Sequence, residues 1–291
     1  MIPLTGCIVS LITPFHRNKI DYDAFTRILE LQIANKVSAV NILSSIGEAA
    51  SLTEDERLSL VQFTVERVDG RVPVGVCAFM PDTSSVINFA KSAEAIGADF
   101  ILATDPYFGK IGQTEIYAHY ETILDNIESP VFIHSDEEST GNGIKPETLK
   151  SLIRNHSIDG VILTANDLDS IVELFSTCPG TRFYAGSDLS AYVMYTLGAK
   201  GIFSIAANIV PEAVREAYES AADGNYISAL ETQMKLFPLI RAIRSLSPSV
   251  SVKSMLRAMR ICEDEVRLPL IPVNDPENNR IVQVLEEMRI I

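Results

Sequence analysis

The sequence predicts an α/β fold: a (β/α)8 TIM barrel with a C-terminal helical extension. Short apolar runs alternate with helix-sized segments, and there are eight runs, as in a chain of eight βα units. Stretches such as CIVSLI, VFIH, GVIL and GIFSI are nearly continuously apolar, which is typical of parallel strands covered on both faces. A doubly wound open sheet is the structural alternative, but it rarely carries eight such even units. The predicted strands are residues 6–13, 39–43, 72–77, 100–103, 131–134, 160–163, 183–185 and 201–205.

The segments between the runs repeat their apolar residues at the 3.6-residue period of a helix. Phe25, Ile28 and Leu29 share one face of the first segment, and Thr53 with Glu56 has the spacing of a capping box. The chain after the eighth unit is also helical in pattern. We therefore predict a barrel over residues 1–224 and a helical extension of the same domain over 225–291.

Composition excludes several classes of protein. Of the 291 residues 47% are hydrophobic, which supplies a large core and excludes intrinsic disorder. The 24 basic and 38 acidic residues give a net charge of −14, which argues against binding to nucleic acid or to an anionic membrane surface. The four cysteines form no CxxC pair and no apolar stretch is long enough to span a bilayer, so we expect reduced thiols and a cytoplasmic protein.

A barrel places its functional residues at the carboxyl ends of its strands. The loop after the fifth strand is the most unusual of these, because His134 and Ser135 are followed by Asp136, Glu137 and Glu138. Three interpretations stay open. The loop is a solvated acidic segment, or His134 is a general base whose pKa is raised by Asp136. The third is a metal site formed by His134, Asp136 and either Asp105 or Asp188, although no spacing motif supports it and we predict no metal.

Several motifs together resemble one barrel family. They are Ser44-Ser45-Ile46-Gly47-Glu48, Asp69-Gly70-Arg71, Pro106-Tyr107-Phe108, Thr140-Gly141, Gly186-Ser187-Asp188 and the stretch from Leu197 to Ser204. In this order and spacing they resemble the dihydrodipicolinate synthase / N-acetylneuraminate lyase family of pyruvate-dependent class I aldolases. The resemblance runs the length of the chain. It implies a barrel, a keto acid or sugar acid as ligand, no cofactor, and a homotetramer or homodimer.

The residues that carry the chemistry of that family depart from its pattern. Ile162 stands where the resemblance implies the lysine that forms a Schiff base, and no lysine occurs between Lys150 and Lys200. His134 replaces a tyrosine that relays protons, and Ser139 replaces an arginine that helps to hold the substrate carboxylate. Ile46 replaces a threonine that helps to hold pyruvate, and Phe108 replaces a tyrosine that many members contribute across a subunit interface.

An imine requires a primary amine, which isoleucine cannot supply. We therefore hypothesise a diverged member without Schiff-base chemistry, either a small-molecule-binding or regulatory pseudoenzyme or an enzyme of altered chemistry. The alternative is an active lyase or aldolase that uses His134 or an amine from elsewhere, for which Lys110 is the one candidate. No catalytic residue is assigned, and His134 is a candidate. The predicted ligand-binding residues are Ser44, Ser45, Phe108, His134, Asp136, Ile162, Gly186 and Ser204.

Overall fold

A computed structural model describes residues 4–107, 109–164 and 167–291. Eight parallel strands close into a barrel, because the first strand of the barrel pairs with both the second and the last. The predicted barrel is therefore confirmed, and the open-sheet alternative is wrong. The barrel strands are β1 (Gly6–Ser10), β4 (Ala39–Ile42), β5 (Val74–Ala78), β6 (Phe100–Thr104), β7 (Val131–Ser135), β8 (Gly160–Leu163), β9 (Phe183–Ala185) and β10 (Gly201–Ser204).

Helices follow the strands and cover the barrel. A short antiparallel hairpin of β2 (Phe15–His16) and β3 (Lys19–Ile20) precedes the first of them. The helices are α1 (Tyr22–Ala34), α2 (Glu54–Val68), α3 (Thr83–Ile96), α4 (Gln113–Asn126), α5 (Glu137–Thr140), α6 (Pro146–Asn155), α7 (Leu168–Thr177), α8 (Ala191–Thr196), α9 (Pro211–Ala222), α10 (Tyr226–Arg244), α11 (Pro248–Ala258) and α12 (Asp275–Glu287). The capping box of Thr53 and Glu56 forms at the start of α2 as predicted. No helix in these described ranges is long and apolar enough to cross a membrane.

The lower lumen of the barrel is filled with aromatic rings. Phe100, Phe132, Tyr184 and Phe203 lie with their ring centroids 5.2–6.4 Å apart, mostly edge to face. Gly75 makes room for them, because a Cβ there would lie 2.1 Å from the ring of Phe100. The lower lumen is therefore a packed core, and the carboxyl end of the strands is where a site is expected.

The helices after residue 225 are tied to the barrel by a buried ion pair. Lys253 of α11 donates to the carboxylate of Glu48, which follows β4, and both side chains are almost completely inaccessible to solvent. The same ammonium donates to the carbonyl of Glu265 at 2.8 Å and lies 4.0 Å from the centroid of Phe15. Arg267 adds paired hydrogen bonds to Glu56. We call these contacts the Glu48–Lys253 cluster.

Candidate functional site

A pocket of about 430 Å³ opens at the carboxyl end of the strands. We call it the mouth pocket. Its walls come from the loops after β4, β7, β8, β9 and β10 and from the turn between α10 and α11, and they include Ser45, Asp136, Thr164, Gly186, Asp188 and Arg244. A wider cleft of about 960 Å³ lies between α1 and the end of α11. Because barrels carry their sites at the strand ends, the mouth pocket is the candidate site.

Gly186 and Thr164 form part of the pocket floor, and Ile162 lies directly beneath them. A Cβ on Gly186 would lie 2.8 Å from the Thr164 hydroxyl and 3.0 Å from Cγ2 of Ile162. Ile162 itself is 0% exposed and packs with Phe132, Tyr184 and other lumen residues. The side chain at position 162 therefore supports the floor through packing, with no polar group to offer a ligand.

His134 lies beside Ile162 in the barrel, since the two residues are paired in register between β7 and β8. Its Nε2 is 3.4 Å from the hydroxyl of Thr164, which lines the mouth pocket. Burial lowers the pKa of His134, and the opposing effect of Asp136 is smaller. The predicted upward shift by Asp136 is therefore wrong, because desolvation outweighs the nearby charge. A neutral imidazole at pH 7 can accept a proton.

Asp105, at the end of β6, has a buried carboxylate with two hydroxyl partners. Tyr120 donates to one oxygen at 2.8 Å, and Ser135 donates to the other at 2.7 Å. Burial raises the pKa of Asp105 to about 6, although these hydrogen bonds lower it. Ser135 in turn accepts a hydrogen bond from the backbone N–H of Ile144. Asp105 therefore fixes the start and end of the loop after β7.

The acidic loop is only partly free to meet a ligand. Asp136 accepts a 2.6 Å hydrogen bond from the hydroxyl of Ser139 and, with Glu138, lines the mouth pocket. Glu137 lies on another side of the loop, near Gly143. Across the part of the chain that the structure describes, no group of three His, Cys, Asp or Glu side chains could hold a metal ion. The hypothetical trio of His134, Asp136 and Asp105 or Asp188 therefore does not assemble.

Of four further residues that were predicted to bind the ligand, the structure places one in the lining of the mouth pocket and two with buried hydroxyl groups. Ser45 lines the mouth pocket, whereas the buried hydroxyl of Ser44 has no hydrogen-bond partner within the described ranges. Ser204 is 0% exposed and donates to Asp188, whose second oxygen accepts from the backbone N–H groups of Ile205 and Ala206. The hydroxyl of Ser204 thus holds Asp188 and the turn after β9 in place. Phe108 lies outside the described residues.

Asn41, a polar side chain of the upper barrel, is absent from the site predicted from the sequence. Asn41 is 0% exposed and lies two residues after Ala39, a lumen residue, so it faces the lumen. Neither atom of its carboxamide, nor the hydroxyl of Thr104, has a hydrogen-bond partner among the residues described. A single asparagine inside the apolar run AVNIL was the available signal. Such unpaired buried groups are costly unless water or a ligand satisfies them.

The match to a family model decides which family this site belongs to. The model of the dihydrodipicolinate synthetase family matches residues 3–288, nearly the whole chain. The chain belongs to the dihydrodipicolinate synthetase family. A 4-hydroxy-tetrahydrodipicolinate synthase of Acetivibrio thermocellus is 31% identical over 288 residues, which cover 99% of this chain and 98% of the relative.

Solved structures of the dihydrodipicolinate synthetase family share this fold. The dihydrodipicolinate synthase of Aquifex aeolicus superposes with a TM-score of 0.96 at 28% identity, covering 98% of each chain. The chloride-inhibited dihydrodipicolinate synthase of Acinetobacter baumannii, solved in complex with pyruvate, gives a TM-score of 0.96 at 26% identity, covering 99% of this chain and 100% of that one. The predicted resemblance to this family is therefore confirmed.

Proposed function

We propose that this member of the dihydrodipicolinate synthetase family is a lyase-type enzyme acting on a keto acid or sugar acid, without an imine at the end of β8. Family membership and the names of the relatives support lyase chemistry better than a protein that only binds. The observation that carries the altered chemistry is Ile162, which is fully buried under the pocket floor. No imine can form at this position, so the reaction must use another group.

The remaining lysines offer no substitute within the described site. Lys110, the candidate in the loop after β6, is exposed and is not among the residues that line the mouth pocket. Lys253 is committed to Glu48 and to the carbonyl of Glu265. We therefore favour His134 over an amine from elsewhere.

His134 is the proposed proton acceptor. Its imidazole is held neutral by burial, and its Nε2 reaches the hydroxyl of Thr164 at the pocket floor. Abstraction of a proton beside a carbonyl group is the step that such a base would perform, with Thr164 relaying the proton or orienting the ligand. This role needs no covalent bond to the protein.

Trapping with sodium borohydride tests the absence of an imine. Incubation with pyruvate and borohydride should leave the intact mass of the protein unchanged. The variant Ile162→Lys should gain the mass of a reduced pyruvate adduct, because the new amine would enter the floor of a pocket whose fold is retained. Ile133→Lys serves as the control, since Ile133 lies on the outward face of β7, in the core between barrel and helices. A stable adduct on the wild-type protein would overturn the proposal.

A small-molecule-binding or regulatory pseudoenzyme is the second candidate. The observation that favours it is the acidic lining of Asp136 and Glu138, which repels an anionic keto acid from that side of the pocket. The two candidates differ in turnover. Only an enzyme would exchange deuterium from D2O into the methyl group of pyruvate. The variant His134→Gln should lose this exchange.

We further propose that the extension over 225–291 folds with the barrel as one domain and that the chain forms a homodimer or homotetramer. The Glu48–Lys253 cluster supports the first point. An exposed apolar face on α8 and α10, which pack together, supports the second. The face consists of Leu189, which precedes α8, Val193 of α8, and Ile227, Leu230, Met234 and Phe237 of α10.

Charge introduced into this face should separate the subunits. Met234 is 59% exposed, so Met234→Glu is expected to leave the fold intact and to reduce the mass in solution to that of one chain. Light scattering coupled to gel filtration measures it. Leu268→Glu is the matched control, because Leu268 is 80% exposed but lies in the segment after α11. An unchanged mass for Met234→Glu would exclude this face as the interface.

A further inference from the structure

The charged side chains around the mouth pocket differ in whether they already have partners within the protein. Asp136 and Asp188 line the pocket, but both carboxylates already accept hydrogen bonds from the protein, from Ser139 and Ser204 respectively. Among the described lining residues, Arg244 is the one that is positively charged. The sign of the charge therefore differs between the wall formed by the loop after β7 and the wall formed by the end of α10.

Arg244 is also unengaged. It lies in the last turn of α10 and is exposed, and its side chain makes no hydrogen bond or ion pair with any residue that the structure describes. Arg241, one turn earlier, has a different environment, since it lies 5.8 Å from the ring centroid of Phe237 and lines a different pocket. The guanidinium at position 244 is thus available to a molecule in the mouth pocket.

We propose that Arg244 binds the carboxylate of the ligand and thereby determines specificity for an organic acid. This inference rests on the proposed function, because it names the end of the ligand that the same pocket would hold. A guanidinium presents two parallel N–H donors that match the two oxygens of a carboxylate, which neither the hydroxyls nor the acids of the pocket can do. The ligand would point its anionic end toward α10.

The rest of the pocket suits the uncharged part of such an acid. Ser45, Thr164 and Ser187 contribute hydroxyl groups to the walls, while Ile46, Ile205 and Ile243 contribute apolar surface. A pocket of about 430 Å³ falls in the range that holds small organic molecules. A hydroxylated acid of about six carbons satisfies both kinds of surface, with its hydroxyls on the floor and its carboxylate at Arg244.

Matched probes test this assignment. D-gluconate and D-glucitol share a hydroxylated six-carbon chain and differ in the carboxylate. Calorimetric titration should show that the full-length protein binds gluconate, and binds glucitol at least 10-fold more weakly. Arg244→Gln should lose about 10- to 100-fold in affinity for gluconate, Arg244→Lys should recover part of it, and Arg241→Gln should bind as the wild type does.

The outcomes separate this inference from the proposed function. Equal binding of gluconate to the wild type and to Arg244→Gln would overturn the role of Arg244, as would failure of the wild type to bind gluconate at all. Neither result depends on borohydride trapping with the Ile162→Lys variant or on deuterium exchange with the His134→Gln variant. Those two measurements report on the imine and the base, whereas the gluconate titration reports on the carboxylate alone.

Discussion

Replacement of Lys253 by methionine is expected to lower the free energy of unfolding by about 3–5 kcal/mol. The substitution leaves the carboxylate of Glu48 buried, without its ionic partner, in a place where both side chains are almost completely inaccessible to solvent. Burial lowers the pKa of Lys253, and the carboxylate of Glu48 opposes that shift, so the ammonium depends on this partner for its charge. Urea denaturation followed by circular dichroism measures the loss.

Lys235→Met is the control, because Lys235 is exposed on α10 and its side chain makes no hydrogen bond within the described residues. Its substitution should change stability by less than about 0.5 kcal/mol. The double variant Glu48→Leu with Lys253→Met should recover much of the loss, since it removes both charges together. A loss below about 1 kcal/mol for Lys253→Met would show that the cluster does not hold the extension.

The wild-type protein is expected to lose about 2 kcal/mol of stability relative to Asp105→Asn as the pH rises from 4 to 7. The pKa of Asp105 is about 6 in the folded protein against 3.8 for an ordinary aspartate. Between these two values the unfolded chain releases its proton while the folded protein retains it, so unfolding becomes more favourable as the pH rises. Well below pH 3.8 both states are protonated, and well above pH 6 the full difference is present.

The comparison between the two proteins isolates Asp105 from the other carboxylates, which titrate in both. Chemical denaturation at several pH values between 4 and 7.5 gives the two stability curves. Asp23→Asn provides the control for the substitution itself, because Asp23 is exposed at the start of α1. Parallel curves for Asp105→Asn and the wild type would contradict the assigned pKa.

The barrel was predictable because each strand carries its own signal. A run such as GVIL is apolar on both faces, and eight such runs at even spacing leave few alternative folds. Position 162 was singled out by the resemblance, because the stretch from Gly160 to Leu163 matches the family stretch that carries the lysine. The floor residues Gly186 and Thr164 follow from the same strand ends.

The remaining features of the site depend on contacts that sequence patterns do not encode. The pKa of His134 changes in the opposite direction to the prediction because neighbouring side chains bury the ring, which the adjacent acid in the sequence does not reveal. Arg244 belongs to a helix far along the chain, and helical periodicity says nothing about which strand end that helix covers. Asn41 is a polar residue in an apolar run, and its unpaired state appears only in the packed lumen.

The Glu48–Lys253 cluster has a consequence for the order of events during synthesis. Glu48 accepts a hydrogen bond from the backbone N–H of Arg267, so the two ends of this contact are separated by 219 positions. A nascent chain that has completed all eight barrel strands on the ribosome still lacks the partners of Glu48, and the wall that carries Arg244 is absent as well. The mouth pocket is therefore completed only when the last part of the chain has been translated, after the barrel beneath it.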